Sequence, residues 1–370
     1  MPSLLRRLCL LLLLPAALAA AALAAAAELE QGEIAGAKFT LARPAHWNHR
    51  VLLIAHGYRP EGRPLVADLF PEQLAIRTLL DEGWIVAKTS FRRNGIIVRD
   101  ALADLDALNG YLAARFGTPE RVILEGESMG GLMVALLAER GSQPYAGAIA
   151  IGAALEIEEN GAIIPLTHQP KIPLLFLTNQ NELAGPENYT KTTVGVPPEL
   201  QPALLRVSRD GHVNVNQRER LAALRALNAW LDAGRAALPR PAPDAPFADA
   251  TVAPAPLPSQ VAPHADARGF DARITEVSAV YGNVFLNAQP ADFAAAGINP
   301  MTWFQLTTHG KTYRTFYGRD FGSVPRGEWV VFPNADGYFW LSRNYADAAG
   351  TAGLSVGDTV IIERADSGKP

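Results

Sequence analysis

Arg121-Val-Ile-Leu124 runs into Glu125-Gly126-Glu127-Ser128-Met129-Gly130-Gly131 and then into Leu132-Met-Val-Ala-Leu-Leu-Ala-Glu-Arg140. After Arg121 the first stretch is an unbroken apolar run, as in a strand buried on both faces. The last stretch is rich in helix formers and halts at Gly141, a residue that commonly ends helices. Between them lies a small-x-nucleophile-x-small turn in the strand-to-helix setting that its chemistry requires. Such a turn strains the backbone and lifts a hydroxyl out of the sheet onto a helix N-terminus. There backbone N–H groups can stabilise an oxyanion. Gly126 and Gly130 suit it because neighbouring chain passes close to both. A bare Gly-x-Ser-x-Gly can also be a glycine-rich turn with an ordinary serine. The flanking strand and helix single out Ser128 as a nucleophile.

Similar apolar runs recur at 51–55, 84–87, 146–151, 173–178 and 204–208. Helical patterns separate them at 68–82, 100–116 and 217–233, each followed by Gly83, Gly117 or Gly234. Strands alternating with helices predict a mostly parallel sheet layered by helices, an α/β fold.

A nucleophile on this turn needs oxyanion donors, a base and an acid. One donor is the N–H of Met129, directly after the serine. The other belongs to a loop after an earlier strand, and His56-Gly57-Tyr58 after 51–55 makes Tyr58 N–H the candidate. Tyr58's side chain can equally line the pocket wall, and His56 reads as a structural loop residue. The chain order on this scaffold is nucleophile, acid, base. His212, in Asp210-Gly211-His212 between the last strand and the last helix, occupies the base position. His168 is its rival but precedes the strand 173–178 at the wrong end, and His46, His49, His264 and His309 read as surface or core residues. The acid belongs just past 173–178, in Asn179-Gln180-Asn181-Glu182. Asn179 stands where a turn glycine is usual and tolerates left-handed backbone, which makes Glu182 the carboxylate. Glu156 and Glu158 are the main alternatives, with Glu187 and Asp210 behind them. A solvated loop charge is the plain reading of Glu182. These parts need no metal and no cofactor.

On these motifs, residues 30–234 resemble the α/β-hydrolase superfamily, including its secreted esterases, polyester depolymerases and serine peptidases. The resemblance implies acyl transfer through Ser128, with residues 89–95 as a loop beside the site. The space for a lid, roughly 156–170, is small.

From Gly234 the pattern changes. Eight prolines fall between Pro239 and Pro263, so 235–266 reads as a semi-rigid linker or a wrap over a domain surface. From 267 to 370 aromatic and β-branched residues dominate and turn dipeptides recur, which predicts a small, mainly β domain. Val280-Tyr-Gly-Asn-Val-Phe-Leu-Asn287, the stretch 334–349 and Gly353-Leu-Ser-Val-Gly-Asp358 resemble the C-terminal domain of the S-adenosylmethionine hydroxide adenosyltransferases and the related fluorinase. By that resemblance Asn283, Phe285, Arg343 and Ala346 would face a nucleoside. The chain departs from the pattern at Ala279, Ala335 and Leu286, and the catalytic N-terminal domain of those enzymes is replaced by the hydrolase-like unit. A structural or substrate-docking role is therefore the reading for this domain.

The 370 residues carry 33 basic and 37 acidic side chains, a formal charge of −4 without a basic stripe, so a nucleic-acid partner is not expected. Arg6 and Arg7, an apolar run from Leu8 and Ala25-Ala26-Ala27 have the layout of a secretory signal over 1–27. The expectation is a secreted or periplasmic protein with no stable membrane span once cleaved; an uncleaved anchor is the alternative. The one cysteine, Cys9, lies in that segment, leaving no thiol beyond it. Function then reads as hydrolysis of a small or polymeric ester. Alternatives are a peptidase or amidase of the same fold, or a non-catalytic protein that binds ligand through its β-domain. Oligomeric state is not legible.

Overall fold

The computed structural model describes residues 27–141, 144–254 and 258–365. All but Ala27 of the expected signal falls outside the described residues.

The first sheet is built from β1 (Glu28–Ile34), β2 (Ala37–Arg43), β3 (Arg50–Ala55), β4 (Ile85–Thr89), β5 (Arg121–Glu127) and β6 (Tyr145–Ile151). After a two-stranded hairpin of β7 (Glu158–Glu159) and β8 (Ala162–Ile163) it resumes with β9 (Leu174–Asn179), β10 (Ala203–Val207) and β11 (Ala248–Asp249). The order across it is β1-β2-β4-β3-β5-β6-β9-β10-β11. β1, β2 and β4 pair antiparallel in that order, and all other neighbours are parallel. The helices are α1 (Leu74–Asp81), α2 (Val98–Phe116), α3 (Met129–Arg140), α4 (Ala184–Thr192) and α5 (Gln217–Ala233). Leu53, Leu124 and Ala150 pack with α2 and α3 on one face. Leu52, Ile123 and Ile149 pack with α1 and α5 on the other. A parallel sheet covered on both sides explains why its strands read as continuous apolar runs.

Three expectations change. The pattern 68–82 yields helix only from Leu74. Pro71 interrupts it, and Asp68 instead takes ion pairs from Arg59 and Lys88. The hairpin β1–β2 closes one edge of the sheet where no strand was read. Within 235–266, Ala248 and Asp249 add parallel to β10 as the far edge strand. Thr251 and Val252 are then tied to Ser208 and Glu219, so the proline-rich stretch wraps the first domain.

The second unit contains β12 (Ala262–Pro263), β13 (Gly269–Val277), β14 (Val284–Leu286), β15 (Trp303–Thr308), β16 (Lys311–Tyr317), β17 (Trp329–Pro333), β18 (Phe339–Arg343) and β19 (Thr359–Arg364), with short helices α6 (Pro290–Ala295) and α7 (Ala348–Ala352). Its order is β12-β13-β14-β18-β17-β16-β15-β19, and β19 pairs back to β13, closing a barrel. Phe293, carried by α6, plugs it against Phe270, Phe304 and Phe339.

Candidate active site

β3 is flanked by β4 on one side and β5 on the other, so chain direction across the sheet switches there. Ligands bind at the carboxyl ends of strands at such a point. The loops after β3 and β5 emerge side by side at that edge.

Ser128 follows β5 with φ 54° and ψ −116°, a strained conformation for a residue with a Cβ. The strain persists because the surrounding chain leaves no alternative. A Cβ on Gly126 would stand 2.1 Å from the Gly130 carbonyl oxygen, and one on Gly130 would stand 2.2 Å from that of Ala55. Helix α3 begins at the next residue, so Met129, buried, is its first N–H donor. Gly57 passes close enough that a Cβ there would lie 3.2 Å from the Ser128 Cβ. That contact sets the loop carrying Tyr58, which follows β3, against the nucleophile turn.

Ser128 Oγ donates to His212 Nε2 at 2.8 Å, and His212 Nδ1 donates to Glu182 Oε1 in a close pair. The carboxylate also receives the Val213 N–H at 3.4 Å. The hydrogen bond from His212 to Glu182 raises the His212 pKa above its usual value; burial opposes it and the charge of Glu182 adds to it. His212 itself is exposed and Ser128 half-buried, so the pair is open to solvent. The histidine loop is strained in turn: Gly211 has φ +128° and Val213 φ 53°.

The expected residues Ser128, His212 and Glu182 are thus brought together across β5, β9 and β10. Glu156 and Glu158 are exposed on the segment after β6, Glu187 pairs with Lys191, and Asp210 accepts from Gln180. His168 packs on Tyr189 beside Thr192, away from Ser128. His56 is buried with both ring nitrogens at carbonyl oxygens, Gly57 and Ser90. Burial, with Arg59 and Lys88 nearby, depresses its pKa to about 3, so it is a neutral structural ring.

Asn179 is not in a left-handed turn. Its backbone is extended, at φ −65° and ψ 151°. Its side chain, fully buried, bonds the backbone of Arg209 and Asn214 instead. The asparagine is there for its amide, a role the unusual residue type signalled. Sequence reading also missed the charges beneath the turn. Arg220 of α5 reaches both Glu125 and Glu127, the residues that bracket Gly126. Burial pushes the Glu125 pKa up; for Glu127 the charges of Arg220 and Lys88 outweigh burial and hold it down.

The barrel meets this edge. Tyr281 donates from its phenol to the Tyr58 carbonyl at 2.6 Å, Asp347 pairs with Arg63 at 3.0 Å, and Asp336 accepts the first N–H of α5 at 2.9 Å. Of the residues assigned to a nucleoside by resemblance, Asn283 is buried in the turn beside Tyr281. Arg343 donates to Gly327 O and Thr351 Oγ1 and lies over Trp329, and Ala346 N–H bonds Arg343 O. Phe285 stands on the other face of the strands, edge-on to Trp340. Asn283 and Ala346 therefore belong to the loops that face the first domain, while the Arg343 guanidinium is occupied within the barrel. Among the described residues no cluster of histidine, cysteine and carboxylate side chains is arranged to hold a metal, and no helix is long and apolar enough to cross a membrane.

Residues 97–185 match the family described as serine aminopeptidase, S33, which takes in the nucleophile turn and Glu182. The N-terminal module has the α/β-hydrolase fold. Residues 278–361 match the SAM hydroxide adenosyltransferase C-terminal domain. No curated protein matches the chain. Among solved structures, an uncharacterized conserved protein from Thermotoga maritima is 21% identical over 28% of this chain, with a TM-score of 0.27, and the chain spans 39% of its length. Est1E from Butyrivibrio proteoclasticus is 14% identical over 55% of this chain and 98% of its own, with a TM-score of 0.40. The acylaminoacyl peptidase of Pyrococcus horikoshii is 14% identical over 56% of this chain and 41% of its own, with a TM-score of 0.42. The α/β-hydrolase module is of hydrolase type, joined here to an adenosyltransferase-type barrel.

Proposed function

We propose that this chain is an exported serine hydrolase that cleaves carboxylic esters through an acyl-enzyme on Ser128. The observation that carries the reading is the hydrogen-bond chain Ser128–His212–Glu182, at 2.8 Å for its first link, on a strained turn that opens a helix. His212 Nε2 takes the hydroxyl proton as Oγ bonds to the ester carbonyl carbon. The carbonyl π pair moves onto oxygen, where the N–H groups of Met129 and Tyr58 meet it. As the oxyanion collapses, the C–O bond breaks and His212 returns the proton to the departing alcohol. Water then loses a proton to His212 as it attacks the acyl carbon, and the acyl C–Oγ bond breaks as His212 returns that proton to Oγ, releasing the acid and restoring Ser128. Glu182 fixes the imidazole tautomer and supports the imidazolium.

The test is a fluorophosphonate probe followed by a panel of nitrophenyl esters. Covalent labelling that disappears in Ser128→Ala, with ester turnover, is the expected result; a chain that does neither is left with the ligand-binding reading. Peptide amides run beside the esters address a second reading. The serine aminopeptidase match favours it, and faster cleavage of amides would select it. Export rests on the Arg6-Arg7, apolar and alanine-rich order of the N-terminus. An intact-mass measurement on protein from the expressing cell's exterior should find a chain beginning at Glu28.

A further inference from the structure

An oxyanion donor is effective only if it is aimed before the reaction begins. Tyr58 lies in a stretch, residues 56–73, without helix or strand. Side chains must fix such a segment. Arg59, buried, holds Val66 O and Asp68, and the Arg59 and Arg63 carbonyls accept from Gly95 N–H and Asn94. Those ties come from the first domain and lie beyond Tyr58, while just before it the His56 ring meets the Gly57 carbonyl at 2.6 Å and the Ser90 carbonyl at 3.0 Å. At Tyr58 itself the tie comes from the barrel, through the Tyr281 phenol at 2.6 Å.

The barrel presents that phenol from a rigid block. The turn before β14 is closed by Gly282 N–H to Ser278 O and by Ser278 N–H to Asn283 O, each 2.8 Å. Ala349 N–H bonds Gly282 O at 2.8 Å, which locks α7 to the turn. Gly282, at φ +72°, admits Asp347 so closely that a Cβ would stand 2.0 Å from its carboxylate oxygen. Asp347 then reaches Arg63 at 3.0 Å, so one block grips the loop at two points. Tyr281 is exposed over 42% of its surface, its hydroxyl is held at the Tyr58 carbonyl, and burial pushes its pKa to about 12. It stays a neutral donor at any physiological pH.

We propose that the barrel is a working part of the hydrolase site and that Tyr281 is a positioning residue, its phenol anchoring the Tyr58 carbonyl, one Cα away from the Tyr58 N–H offered to the oxyanion. This rests on the reading of Ser128 as the acylating nucleophile. Two of the residues that resemblance assigns to a nucleoside, Asn283 and Ala346, thus lie in loops that brace a different active site.

Tyr281→Phe in the full chain keeps the ring and removes the anchor. Its kcat should fall about tenfold, less than the roughly 10²–10³ lost when a donor itself is removed. KM should hold within about twofold, because ground-state contacts are untouched. Affinity for a boronic acid or trifluoromethyl ketone, which mimics the oxyanion adduct, should drop by the same factor as kcat, with the melting temperature unchanged. An unchanged kcat, an unchanged inhibitor affinity, or a loss that tracks a lowered melting temperature overturns the proposal alone. A wild-type chain without Ser128-dependent labelling overturns the hydrolase reading and this proposal with it.

Discussion

Asn179 clamps Asn214 from both sides: its Oδ1 accepts the Asn214 N–H at 2.8 Å and its Nδ2 donates to the Asn214 carbonyl at 2.9 Å. One partner ends β9, three residues before Glu182. The other lies two residues past His212. The amide therefore sets the register between the loop of the acid and the loop of the base. Asn179→Gly supplies the residue a left-handed turn would want and removes the clamp. It should destabilise the fold by about 2–4 kcal/mol, because buried backbone groups lose their partners. Ester turnover should fall about 10- to 100-fold as the His212–Glu182 geometry loosens. Urea unfolding and steady-state kinetics check both; a fully active, stable glycine variant would restore the turn reading.

The Glu182 hydrogen bond raises the His212 pKa, so the acid limb of the rate profile should have its midpoint above 6.5, the ordinary histidine value. Below it the imidazolium has no lone pair to accept the Ser128 proton, and the rate falls. Glu182→Gln keeps the shape and removes the charge. The midpoint should move down, and kcat should fall by up to about 10⁴. Stability runs the other way. The His212–Glu182 contribution is present at acid pH and is lost as pH rises through the raised folded-state value. A kcat–pH profile of both proteins is the measurement.

Gly126→Ala asks whether the turn tolerates any side chain. Its Cβ would fall 2.1 Å from the Gly130 carbonyl oxygen, and that atom belongs to backbone that α3 holds in place. Rearranging it should cost more than about 3 kcal/mol, in the range of severe core disruption. The expected outcome is loss of soluble protein or a large drop in the urea midpoint, with Ser128 labelling abolished.

The order of elements was legible because the central strands are buried on both faces and so read as apolar runs, and because glycines mark the helix ends. Ser128 and His212 were legible because the turn and the loop position constrain residue type. Glu182 lies against His212, but the turn reading that pointed to it does not hold, since Asn179 is extended and acts through its side chain. Tyr281 was quoted within a motif but given no role, because its partner is a backbone carbonyl more than 200 residues away and carbonyls leave no mark on sequence. The edge strand β11 was hidden for a similar reason: two residues suffice to extend a sheet, too few for any periodicity.

Arg220 is the remaining test of how the turn is supported. It is the cation shared by Glu125 and Glu127, and Glu125 is almost fully buried. Arg220→Met fills similar volume and leaves Glu125 without its neutralising partner. Breaking a buried pair in this way costs about 3–5 kcal/mol. The cost should depend on pH. Burial already raises the Glu125 pKa, and losing Arg220 raises it further, so the folded state holds a proton more tightly than the unfolded chain. Stability of the variant should then fall as pH rises through the interval between the two values. Urea unfolding at pH 5 and pH 8 should show the smaller penalty at pH 5. Adding Glu125→Gln should recover part of the loss at pH 8, because the amide needs no counter-charge. A penalty equal at both pH values would mean that Arg220 acts through packing alone.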